Sequence, residues 1–142
     1  MLRGTHEATV DDKGRVKIPA AFLESLREYG NKFYVTSESG ESVRVYPMKV
    51  WTKIEDKLAS KPSYNRAKQK FLMQTSYYGQ VAELDGQGRL LLPQILREAA
   101  QAKGQVFVMG ELDHLRIWNS ARFEAIRKVS GMTPEELNEL EI

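Results

Sequence analysis

Asp11-Asp12-Lys13-Gly14-Arg15-Val16-Lys17-Ile18-Pro19 returns as Asp85-Gly86-Gln87-Gly88-Arg89-Leu90-Leu91-Leu92-Pro93, so the frame D-x-x-G-R-x-x-x-P occurs twice in one chain. Self-similarity at a fixed offset marks an internal duplication. The same offset aligns Ala8 with Ala82, Glu24 with Glu98, Gly30 with Gly104, and Phe33-Tyr34-Val35 with Phe107-Val108-Met109. A slip of two residues then aligns Val43-Arg44-Val45-Tyr46 with Leu115-Arg116-Ile117-Trp118, and Trp51 and Ile54 with Phe123 and Ile126. The two halves therefore share one small fold.

Around each frame the local chemistry reads as strand, turn, strand, short helix, strand, strand, helix. Gly14 and Gly88 sit where a tight turn needs a positive backbone dihedral, and the Asp three residues earlier can bond the turn's own amides. Pro19 and Pro93 suit the first position of a helix, and Gly30 and Gly104 the position just past its end. Ile18 and Leu92 are poor N-caps, so those helices must start on proline geometry and packing. Strands are expected at Glu7–Val10, Arg15–Ile18, Lys32–Ser37 and Val43–Tyr46, and again at Val81–Leu84, Arg89–Leu92, Val106–Met109 and Leu115–Trp118. Helices follow from Pro47 to about Leu58 and from Asn119 to about Val129. Ser63 opens a further helical run to about Ser76, and Thr133-Pro134-Glu135-Glu136 carries a capping box for a short acidic helix at the end.

This order divides the chain into a first half at 1–62, a connecting helix at 63–77, a second half at 78–130 and an acidic C-terminal helix or tail at 131–142. A unit of about 60 residues hides only roughly 60% of the surface its chain exposes. Two such units can bury one another, and no Gly/Ser-rich or Pro-rich spacer separates them. The halves are expected to pack as one domain about a pseudo-twofold axis.

With 142 residues, 42% hydrophobic and 28% charged, the composition is that of an ordinary globular protein. No secretory h-region follows Met1 and no long apolar run occurs, so a cytoplasmic protein with no membrane span is expected. Zero cysteines remove disulfides and thiolate chemistry. Net charge is only +2, but residues 1–76 hold 14 Lys/Arg against 9 Asp/Glu, while residues 77–142 hold 7 against 10. Lys13, Arg15 and Lys17 recur with a period of two, which lets them share one face of the first hairpin.

Catalysis finds no foothold. His6 and His114 fall at non-equivalent places in the halves, outside any acid–base or metal-ligand frame. Asp113-His114 could pair with Glu111, but reads as loop polarity. Gly86-Gln87-Gly88 lacks the Lys-Ser/Thr of a phosphate loop and the strand–helix unit of a dinucleotide fold. No enzyme is indicated, and no cofactor or metal.

The duplicated frame, its flanking strand pairs and its Trp- and Phe-bearing helices resemble the MraZ family of bacterial transcriptional regulators, over nearly the whole chain. The resemblance implies an α+β fold: two AbrB/MraZ-like swapped-hairpin β-barrel units with pseudo-twofold symmetry, plus short helices. It implies sequence-specific binding to double-stranded DNA with short direct repeats, typically in the promoter of the division and cell-wall gene cluster, and hence a nucleoid-associated protein. It also implies assembly with itself into a ring-shaped homo-oligomer. The family's DNA-contacting arginine falls on Arg15, with Lys13 and Lys17 beside it, Arg3 as a further phosphate contact, and Arg89 at the equivalent place in the second half. There Lys13 becomes Gln87 and Lys17 becomes Leu91, so the second hairpin is less basic and its part in DNA contact stays open; Leu90-Leu91-Leu92 looks like a surface that packs against something. The competing reading is an oligomeric assembly protein whose basic hairpin binds an acidic protein partner. Each arginine could also do no more than pair with Asp11 or Asp85 and stabilise its turn.

Overall fold

Each repeated frame forms the tip of a β-hairpin. In the computed structural model, which describes residues 1–142, the first half runs β1 (Thr5–Val10), β2 (Arg15–Lys17), α1 (Ala20–Arg27), β3 (Lys32–Thr36), β4 (Val43–Pro47) and α2 (Met48–Ala59). Helix α3 (Arg66–Tyr77) leads to the second half: β5 (Gln80–Glu83), β6 (Arg89–Leu91), α4 (Gln94–Ala100), β7 (Gly104–Glu111), β8 (His114–Asn119) and α5 (Ser120–Val129). A last helix, α6, spans Pro134–Glu139.

The halves are interlocked. All eight strands join one antiparallel sheet in the order β5-β3-β4-β8-β7-β1-β2-β6. Strand β1 pairs with β7 of the other half from Thr5↔Met109 to Val10↔Gly104, and β5 repeats that exchange on β3 from Gln80↔Val35 to Glu83↔Lys32. Two pairings join equivalent strands directly, β2 to β6 at Val16↔Leu90 and β4 to β8 at Arg44↔Arg116, and the pseudo-twofold axis passes through both. The turn carbonyls tie the halves together as well: Gly88 O accepts Ile18 N–H at 3.0 Å, and Gly14 O accepts Leu92 N–H at 2.9 Å. The sheet curls into a nearly closed barrel, the swapped-hairpin α+β architecture expected from the sequence.

Nineteen buried side chains fill the interior, among them Val16, Phe22, Leu26 and Phe33 from the first half and Leu90, Leu96, Val108 and Ile117 from the second. Neither half owns this core. A smaller cluster of Tyr46, Val50 and Trp51 lies outside the sheet, where Trp51 stacks on Tyr34 at 4.7 Å and on Phe71 of α3 at 6.1 Å. In the second half Trp118 is buried and meets Phe123 at 6.2 Å, but α5 buries none of its residues and every residue of α6 is exposed.

Four local readings need correction. Pro19 and Pro93 are N-caps, not first helical residues; their extended ψ of 137° and 139° ends the preceding strand, and no side chain caps either helix. The left-handed turn after α4 falls on Gln101 (φ 50°), which leaves Gly104 to open β7. Helix α3 starts at Arg66 because Asn65, not Ser63, accepts the amide of Lys68 at 2.9 Å. Within Leu90-Leu91-Leu92 the outer two residues are wholly buried, because strand alternation sends them inward; what they pack against is the shared core.

Candidate nucleic-acid interface

The β2–β6 pairing builds a surface that neither hairpin has alone. Val16 and Leu90 face each other with their side chains in the core, so alternation points their neighbours outward. Arg15 lies across from Leu91, and Lys17 across from Arg89. The register thus places Arg89 on the same ladder as Arg15 and Lys17. Leu91, half exposed at 49%, is the one uncharged residue of the four.

Each arginine is held by its turn aspartate. Asp11 Oδ1 accepts the amides of Lys13 and Arg15 at 3.0 and 2.9 Å, and Oδ2 accepts Arg15 Nε at 2.9 Å. Asp85 repeats the clamp on the amides of Gln87 and Arg89, both at 2.9 Å, and on Arg89 Nε at 2.8 Å. These bonds, led by the arginine amide in each case, hold both carboxyls below the usual range because they favour the ionised acceptor. The turn closes on a glycine in the left-handed region, φ 85° at Gly14 and 73° at Gly88. Structural pairing and ligand contact are therefore compatible here. The clamp uses Nε and leaves the two terminal guanidinium nitrogens of Arg15 without a protein partner, at 31% side-chain exposure.

A further cation stands beside the first turn. Arg97 of α4 is the repeat equivalent of Leu23, and each touches the other half's turn glycine. A Cβ at Gly88 would sit 3.2 Å from Leu23 Cδ1, whereas the Arg97 guanidinium covers Gly14 so closely that a Cβ there would sit 2.2 Å from Cζ. Arg97 Nε donates to Leu92 O at 3.0 Å. None of Lys13, Lys17 or Arg97 forms an ion pair, although Asp12 and Glu98 line the same cleft. Sequence reasoning missed Arg97; the signal was the break in the repeat, leucine in one copy and arginine in the other.

Lys13 is exposed in the turn beside this ladder and not on the strand itself. Arg3 lies elsewhere. It sits at the opposite end of β1 from the turn, next to the Leu2–Leu112 bridge, and at about 3.3 Å per residue the six-residue strand puts roughly 20 Å between them. Lys57, Lys61, Arg66, Lys68 and Lys70 belong to the α2–α3 layer.

At the other end of the pseudo-twofold axis the charges cancel. Arg44 and Arg116 face each other, with Arg44 held by Glu38 at 2.7 Å and Arg116 Nε lying 2.9 Å from Glu111 in a charge contact without hydrogen-bond alignment. Arg44 donates to His114 Nε2 at 2.9 Å, so that nitrogen is an acceptor and Nδ1–H donates to Asp113 at 3.0 Å. His114 is thus a fixed member of a polar network, stacked on Tyr46 at 4.5 Å. His6 packs edge-on against Phe22. No group of three His, Cys, Asp or Glu could hold a metal ion.

Comparison with known proteins decides the family. The family described as "MraZ protein, putative antitoxin-like" matches residues 1–74 and 80–136, which takes in both halves and the start of the C-terminal helix. This chain belongs to the MraZ family. Relatives named "Transcriptional regulator MraZ" include that of Acidobacterium capsulatum, 47% identical over 96% of this chain and 94% of the relative. That of Koribacter versatilis is 45% identical over the same shares, and that of Moorella thermoacetica 41% over 87% and 85%. MraZ proteins are thus named as regulators of transcription, not as enzymes. No helix of this member is long and apolar enough to cross a membrane.

Proposed function

We propose that this protein is a sequence-specific DNA-binding transcriptional regulator acting on short direct repeats, such as those in the promoter of the division and cell-wall gene cluster. The observation that carries the reading is the outward ladder of Arg15, Lys17 and Arg89 at the pseudo-twofold axis, with the terminal nitrogens of Arg15 free. A planar guanidinium fixed through Nε presents its terminal pair as a fork, which matches guanine O6 and N7 in a major groove. Lys13, Lys17, Arg97 and Arg89 then serve as phosphate contacts that set the hairpin's register. Arg3, about 20 Å away along β1, can contribute only by reaching a more distant phosphate.

One short ladder makes few base contacts, so useful affinity requires several chains at once. A ring-shaped homo-oligomer meeting repeated elements supplies that multivalency. The mechanism is occupancy of a site in the nucleoid, with no covalent step and no cofactor.

Titration of the purified protein against its own upstream DNA, with scrambled repeats as control and at two salt concentrations, tests this. Binding that prefers the repeats and weakens steeply with salt is expected. Equal affinity for scrambled DNA, or none for either, would favour an acidic protein partner for the same hairpin.

A further inference from the structure

The two ends of this chain carry complementary surfaces, each unfilled. At the first-half end, the C-terminal part of α2 and the N-terminal part of α3 diverge to leave a groove lined by Leu58, Lys61, Asn65, Ala67, Lys68 and Phe71. Its wall is almost wholly hydrocarbon, supplied by Leu58, Phe71, Ala67 and the lysine stems. Its rim is cationic, and Lys57, Lys61, Arg66, Lys68 and Lys70 have no carboxylate within 4.0 Å.

At the other end, α6 has no partner at all. Every residue from Arg127 to Ile142 is exposed. A six-residue helix is far below the length that is stable alone in water. This one is nevertheless built with care: Thr133 Oγ1 accepts the Glu136 amide at 3.2 Å, and Glu136 Oε1 accepts the Thr133 amide at 3.1 Å. Leu137 and Leu140, one turn apart, form an apolar stripe at 40% and 60% exposure. Glu135, Glu136, Glu139 and Glu141 surround it, with no Lys or Arg from residue 131 to the end.

We propose that α6 of one chain docks in the α2–α3 groove of a second copy, Leu137 and Leu140 on Leu58, Ala67 and Phe71, with the glutamates facing lysines that have no carboxylate partner, Lys68 Nζ being held only by the Lys61 carbonyl at 2.9 Å. The duplication explains the match. In repeat order α6 occupies the place of α3, the helix that covers Trp51 through Phe71. The second half has lost that intramolecular cover, so its last helix is free for another chain. The surfaces differ and sit on opposite halves, which makes the contact head-to-tail and self-repeating.

The inference rests on the ring reading above, and the absence of native cysteine makes its test clean. A chain carrying both Ala67→Cys and Leu137→Cys, oxidised under native conditions, should give a ladder of covalent multimers on a denaturing gel; either single variant should stop at dimers. In parallel, Leu137→Glu/Leu140→Glu should lower the light-scattering mass several-fold towards the 16.2 kDa chain. Its circular dichroism should stay native, because neither side chain contacts the body. An oxidised product that is a closed monomer would show α6 folding back on its own chain and overturn the proposal. So would an oligomeric wild type whose mass survives the double substitution without cross-linking. A wild type that is monomeric at every concentration would fail the ring reading itself.

Discussion

Arg15 is where a structural contact and the recognition role proposed above coincide. Asp11 holds its Nε, so removing the side chain costs the turn one exposed ion pair, worth little, and costs DNA binding one bidentate contact, worth about 1–3 kcal/mol per chain. Arg15→Ala should therefore keep native circular dichroism and lose specific binding, multiplied across an assembly. Arg89→Ala should cost less, since two residues along its own strand stands Leu91 where the first hairpin has Lys17, and its turn carries Gln87 in place of Lys13; an equal or larger loss would show that both hairpins read bases. Arg97→Leu restores the residue found in the other repeat, so it should leave the melting temperature close to wild type. It should weaken binding to all duplexes alike and flatten the log-affinity against log-salt slope by about one unit. An unchanged slope would make Arg97 only a cover for Gly14. The two turn carboxyls give a pH signature with a definite sign. Their pKa values are depressed on folding, so the stability they add is present above their unfolded value and is lost as pH falls through the folded one. Carboxyl titration by NMR should find Asp11 and Asp85 more than half ionised at the ordinary aspartate value of 3.8; normal titration would mean the clamps are open in solution.

At the scale of elements, the duplication makes each part its own control. Gly14 and Gly88 occupy the same left-handed turn, but a methyl at Gly14 meets the Arg97 guanidinium, whereas one at Gly88 meets Leu23 at 3.2 Å. Both Gly→Ala changes should destabilise by about 1 kcal/mol or more through the backbone. Only Gly14→Ala should also displace Arg97 and so lower DNA affinity. The aromatic layers differ in the same way. Trp51 is 3% exposed between Tyr34, Tyr46 and Phe71, so Trp51→Ala should cost about 3–5 kcal/mol. Phe123 on uncovered α5 should cost clearly less in the free chain. Thermal unfolding of the two variants compares them directly, and equal losses would mean α5 is as well covered as α2.

For the whole molecule, the exchange of β1 and β5 decides stability. A fragment of residues 1–62 keeps β1 to β4 but loses β7 beside β1, β6 beside β2, β8 beside β4 and β5 beside β3. Its buried residues would face water, so it should be unfolded alone, or fold only by pairing with another copy of itself; a folded monomeric fragment would contradict the interlocked core. Light scattering of the full chain should give a mass many times 16.2 kDa.

The sequence by itself determined the duplication and the strand and helix order, and the family resemblance carried by the repeated D-x-x-G-R-x-x-x-P frame pointed to the swapped-hairpin fold and to Arg15. These are readable because glycine turns, proline helix starts and alternation act over a few residues. Ladder partners, by contrast, are set by register between strands far apart in the chain. Only the tertiary structure put Lys17 opposite Arg89, buried Leu90 and Leu92 while exposing Leu91, moved Arg3 to the far end of β1 and laid Arg97 on Gly14. It alone left α6 without a partner, because whether an amphipathic helix finds a surface depends on which surfaces the rest of the chain has already covered.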